Sequence, residues 1–153
     1  MRIIFLIFLC LLFVACTVPG SSEPVAQIAS AQNLWRAQNV RRYRISVLYV
    51  NAIFHAQTNT VTVENGRVID QHAVCTPAPF EGRTCKVEPF DADEFTVDGL
   101  FRTALALAPE SAKYQLRVDF DDRYHFPAFI SRDQKQIVDD ETIWRVVAFE
   151  PLP

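Results

Sequence analysis

Glycine is scarce in this chain: only four of 153 residues. The glycine-rich turns that cradle phosphates or dinucleotides are absent, and so are the Gly-x-Ser-x-Gly elbow and His-Glu-x-x-His. Histidine is equally thin, and His55, His72 and His125 fall in three different expected elements. A histidine-based metal or acid–base site would need the fold to gather them. Positive charge is not in excess, with 15 Lys and Arg against 18 Asp and Glu and a formal net charge of −3. That balance excludes the basic stripe on which nucleic-acid binding rests. There are four cysteines and no Cys-x-x-Cys pair, which removes the usual zinc and dithiol patterns. No catalytic constellation is left, so the expectation is a protein that is not an enzyme and needs no cofactor.

The start of the chain is more informative. Met1-Arg2 precedes an apolar run over residues 3–14, shorter than the roughly 20 residues a spanning helix requires. It reads as the apolar region of a signal peptide. Val14-Ala15-Cys16 resembles the lipobox of bacterial lipoproteins, with Phe13 in place of the preferred Leu. Residues 1–15 are therefore expected to be a signal peptide and Cys16 the lipidated first residue of the mature protein. Its thiolate is a suitable nucleophile for the acyl donor, and two or three acyl chains hold a protein on a membrane where one is marginal. Residues 16–26, rich in Pro, Ser and Thr, read as the lipidated cysteine and a flexible tether. The expected location is the bacterial cell envelope, lipid-anchored to a membrane and facing the periplasm or exterior.

Residues 27–153 are expected to form a single domain. Apolar residues at three- and four-residue spacing predict a helix over 27–39. Residues 42–56 alternate as one long strand, and 58–64 form a second. Asn65-Gly66 follows, a strong hairpin signal because both turn residues need positive φ, and 67–75 return. A second helix is expected within 94–108, with Thr96 as its N-cap and Pro109 ending it. Strands over 113–120, 127–132 and 142–150 complete the order α-βββ-α-βββ. The predicted class is α+β: a twisted antiparallel sheet of about six strands with two helices packed on one face.

Cys75 and Cys85, nine residues apart, are the even pair left in an exported chain once Cys10 and Cys16 are accounted for. They are read as a disulfide, and closing so small a loop is worth roughly 2–3 kcal/mol in the chain-entropy model. The loop between them carries Phe80 and Arg83, the candidate interaction residues; an aromatic on a stapled loop is a fair anchor for a partner. Asp119, Asp121 and Asp122 surround one turn, and Asp139, Asp140 and Glu141 precede the last strand. The latter three are the metal candidates. Calcium can use such oxygens, but Asp is also a common turn former.

Five stretches in order, "LWRAQNVRRYRISV", "VTVENGRVI", "FTVDGLF", "VDFDDRYHFPAFISRD" and "DDETIWRVVAFEP", make residues 34–151 resemble DUF6174, a family of bacterial lipoproteins of unknown function. The resemblance implies the lipoprotein and the fold, and carries no reaction and no catalytic residues. Three departures stand out. Tyr124-His125-Phe126-Pro127 replaces the family's Tyr-Gly-Tyr-Pro. Gly99 stands where an acidic residue often caps the helix, and cysteines common near the first strand are missing. The expected function is a non-catalytic envelope module that binds a protein or peptide, with metal or small-ligand binding, or a passive structural role, as alternatives. A monomer is expected, bound to the membrane through lipid on Cys16.

Overall fold

The computed structural model describes residues 23–51, 55–75, 86–110, 113–135, 137 and 140–153. The elements are α1 (Glu23–Ala37), β1 (Arg42–Asn51), β2 (His55–Glu64), β3 (Arg67–Cys75), α2 (Val97–Leu107), β4 (Tyr114–Phe120), β5 (Pro127–Gln134) and β6 (Thr142–Pro151). The six strands form one open antiparallel sheet in the order β3-β2-β1-β6-β5-β4, so the expected α+β class and element order hold. The first and last strands meet at the centre, running from Tyr43 opposite Pro151 to Asn51 opposite Thr142.

Helix α1 starts at Glu23, so residues 23–26 belong to its first turn and not to a tether. Pro24 is tolerated there because first-turn N–H groups lack intrahelical acceptors, and the Glu23 carboxylate sits at the positive end of the dipole. The helix buries Ile28, Ala31 and Trp35. It stops before Asn39, which takes the left-handed conformation at φ +52°.

The strand expected over residues 42–56 is two strands. The chain reverses after Asn51, and β2 pairs back on β1 from Asn51 opposite His55 to Arg42 opposite Glu64. No glycine or proline marks this reversal, so a β-prone run hides it. The next hairpin is as expected: Asn65 and Gly66 have φ of +50° and +76°.

A 3-10 turn, Ala92–Phe95, precedes α2. Thr96 caps the helix as expected, its hydroxyl accepting the Gly99 N–H at 2.9 Å. The turn packs against the first turn of α2 so tightly that a Cβ at Gly99 would lie 2.6 Å from the carbonyl carbon and oxygen of Glu94. A side chain at position 99, acidic or otherwise, has no room.

Alternate residues of β1 (Tyr43, Ile45, Val47) and β2 (Val61, Val63) face the helices and are at most 4% exposed. Val97, Leu100, Phe101 and Ala104 of α2 close over them in one continuous core. Trp35 meets Tyr43, Phe126 and Phe149 edge-on at 5.7, 6.0 and 5.9 Å. Such aromatic pairs add about 0.5–1.5 kcal/mol each beyond area burial.

Candidate ligand-binding cleft

Successive residues of a strand point to opposite faces, so Gln57 and Asn59 share the helix-facing side of β2 with Val61 and Val63. Both amides are buried, at 2% and 0% exposure. The incoming segment before α2 covers them. The Gln57 carboxamide pairs in both directions with the Glu88 backbone: the Glu88 N–H donates to Oε1 at 2.9 Å, and Nε2 donates to the Glu88 carbonyl at 3.2 Å. Gln57 Nε2 also donates to Asn59 Oδ1 at 2.7 Å. That leaves Asn59 Nδ2 buried with no hydrogen-bond partner among the described residues.

These amides line a cleft of about 510 Å³ whose aromatic walls are Tyr49, Phe90 and Phe95. Phe95 is buried and stands edge-on to both Tyr49 (5.8 Å) and Phe90 (5.4 Å), which fixes the wall. Burial, and then the Glu94 charge, push the Tyr49 phenol above its ordinary pKa, while Arg132 acts against them. Arg132 does not line the cleft: its guanidinium lies 4.8 Å from the Tyr114 ring centroid and its Nη2 donates to Thr142 Oγ1 at 3.2 Å, while its buried Nε has no hydrogen-bond partner among the described residues. The charged groups lining the cleft are carboxylates, Glu88, Asp91 and Glu94, with His55 beside them; no Lys or Arg lines it among the described residues. Asp91 is committed to the 3-10 turn, accepting the Asp93 N–H at 3.1 Å.

Among the described residues there are further depressions, one of about 520 Å³ between the ends of α1 and α2 and one of about 770 Å³ along β3. Neither is lined by a buried polar group lacking a partner among the described residues. That difference selects the cleft at Gln57 and Asn59.

The residues singled out in the sequence are placed differently. Cys75 closes β3 and is not a free thiol. Cys16, Cys85, Phe80, Arg83 and Asp139 lie outside the described residues. Asp140 and Glu141 precede β6, and among the described residues no three His, Cys, Asp or Glu side chains form a group able to hold a metal. The other acidic set has structural work. Asp119 pairs with Arg117 at 2.6 Å, and Asp121 Oδ1 accepts the N–H groups of Arg123 and Tyr124 at 2.9 and 2.6 Å. His55 lines the cleft, His72 lies on β3 and His125 in the β4–β5 turn, so they belong to separate parts of the chain. Gln57 and Asn59 carry no motif and were not candidates; the signal that could have found them is their parity with Val61 and Val63. Among the described residues, no helix is long and apolar enough to cross a membrane.

What fold and cleft define is a small α+β domain whose open antiparallel sheet carries a polar, aromatic-walled cavity beside its core. The chain belongs to the DUF6174 family, a family of unknown function, which it matches over residues 27–151. No curated protein matches it.

Proposed function

We propose that this chain is a non-catalytic binding module of the bacterial cell envelope, monomeric and held on a membrane by lipid on Cys16, with its ligand seated at Gln57 and Asn59. The anchor rests on the apolar run over residues 3–14 and the Val14-Ala15-Cys16 sequence. A Cys75–Cys85 bridge would staple the loop bearing Phe80 and Arg83, which follows directly from β3 and offers a partner a second point of contact. The same domain serves a protein or peptide that presents a small group to the cleft. Comparable roles for other small antiparallel domains are an analogy of fold alone.

One observation carries the binding reading: a fully buried amide donor, Asn59 Nδ2, has no hydrogen-bond partner among the described residues and stands beside an open cleft. Leaving such a donor unpaired costs about 1–3 kcal/mol, and an acceptor brought in by a ligand recovers it. The test is thermal unfolding of the full-length protein in detergent against small amides, amines and carboxylic acids. At least one class should raise the melting temperature of wild type and leave Asn59→Leu unmoved. If every compound acts equally on both proteins, the cleft is not the site. For the anchor, intact mass of membrane-extracted protein should correspond to a chain beginning at Cys16 and carrying two or three acyl groups; an unmodified chain beginning at Met1 would refute it.

A further inference from the structure

We infer that the cleft recognises an organic cation, a guanidinium or ammonium on a short apolar stem next to a carbonyl. This rests on the reading of the cleft as the binding site and names the chemistry of what it binds. Three independent features converge. The first is the unsatisfied Asn59 Nδ2, a donor that calls for an acceptor on the ligand and so selects a carbonyl or hydroxyl. The second is charge. Glu88 and Glu94 line the cleft and have no ion-pair partner among the described residues, and no basic side chain of Lys or Arg lines it to neutralise them. Carboxylates gathered around a concave, partly apolar wall focus a negative potential there and attract cations. The third is the wall itself. Tyr49 and Phe90 are half-buried, and aromatic faces hold cations, most strongly where water is displaced.

An anion fits none of these, since it would meet Glu88 and Glu94 with no basic partner in the lining. A bare metal ion fits poorly, because no group of three ligating side chains is gathered among the described residues and an aromatic wall offers it no oxygen. A wholly apolar ligand would leave Asn59 Nδ2 unsatisfied. A cation of this kind comes from either of two sources, a free small molecule or the Arg or Lys side chain of a peptide.

L-Arginine amide and L-citrulline amide make the test, because they share shape and carbonyl and differ in charge. Chemical shifts of the Gln57 and Asn59 carboxamides in ¹⁵N-labelled full-length protein in micelles report occupancy. Arginine amide should shift both signals saturably, with citrulline amide at least tenfold weaker. Glu94→Gln should weaken arginine amide about three- to tenfold with unfolding unchanged, since the Glu94 side chain is exposed. An end-blocked Gly-Arg-Gly tripeptide separates the sources: tighter binding than arginine amide identifies a peptide side chain, and equal or weaker binding a free small molecule. Equal binding of arginine and citrulline amides, lost in Asn59→Leu, overturns the cation and leaves the cleft as the site. Binding of arginine amide undiminished by both Glu94→Gln and Asn59→Leu overturns cation and cleft together. Absence of binding by arginine amide at millimolar concentration overturns the cation.

Discussion

The phenolic oxygen of Tyr43, on β1, accepts the backbone N–H of Val97, the first residue of α2, at 3.1 Å across 54 residues of chain. The first N–H groups of a helix have no intrahelical acceptor. A strand side chain therefore completes the start of α2 and pins the helix over the sheet. Tyr43→Phe keeps the ring and removes the acceptor, leaving a buried donor unpaired. The expected loss is about 1–2 kcal/mol, read as a lower urea midpoint at unchanged slope.

The same phenol gives a pH dependence. Burial, reinforced by the Asp98 charge, raises the Tyr43 pKa above its unfolded value, although the Val97 hydrogen bond acts in the opposite sense. A raised acid favours the fold while neutral, so its contribution is fully present below about pH 10. It is lost as pH rises from there toward the folded-state pKa. Tyr49 is shifted in the same direction. Melting temperature should fall between pH 9.5 and about 11.5, a window set by the ordinary tyrosine pKa. The fall should be shallower in Tyr43→Phe, and an identical slope in both proteins would assign it to other groups.

Gly99 is fixed by its neighbour and not by its backbone angles. A methyl group there meets the Glu94 carbonyl at 2.6 Å. Gly99→Ala would ordinarily strengthen a helix by about 1 kcal/mol. Here overpacking should reverse the sign and cost about 1–3 kcal/mol, seen as a lower melting temperature. A stabilised Gly99→Ala protein would show that the 3-10 turn moves freely.

His125 has φ of +64° in the β4–β5 turn, where a glycine carries no steric cost. A non-glycine residue in this region costs about 1–2 kcal/mol, and glycine's greater unfolded freedom takes back part of that. His125→Gly should raise stability by about 0.5–1 kcal/mol, while the Asp121 hydrogen bonds to Arg123 and Tyr124 persist. The urea midpoint checks the first expectation, and amide exchange at residues 123 and 124 checks the second.

Asn59 and Ile45 are both 0% exposed, yet replacing them should differ sharply. Ile45→Ala empties the core and should cost about 2–5 kcal/mol. Asn59→Leu removes an unsatisfied donor, and Gln57 Nε2 keeps the Glu88 carbonyl as acceptor at 3.2 Å. Its stability should stay within about 1 kcal/mol of wild type. Parallel denaturation of the two variants decides whether Asn59 serves the fold or the cleft.

Much of this architecture was legible because single residues speak for it. Asn65-Gly66 marks a hairpin, Thr96 a cap, and Tyr43, Ile45 and Val47 the buried side of a strand. Other parts were silent. The reversal between Asn51 and His55 lacks glycine and proline, so alternation ran through it unbroken. Residues 23–26 read as tether because they close a stretch rich in Pro, Ser and Thr, while helix initiation depends on where Pro24 falls in the first turn. The cleft was hidden by the ordinary rule that polar residues of a strand face water. Gln57 and Asn59 obey the parity of Val61 and Val63, and the segment at Glu88 that covers them lies far along the sequence. No local pattern encodes that encounter.

The seam between β1 and β6 sets an order on folding. Until Thr142–Pro151 docks, the chain holds two separate antiparallel pieces, β1–β2–β3 and β4–β5, whose inner edges on β1 and β5 are bare. Those edges wait for the element that comes latest in the sequence, so the decisive contacts are long-range and slow to form. A chain cut or stalled short of β6 presents bare strands to other copies of itself, the condition for edge-to-edge aggregation.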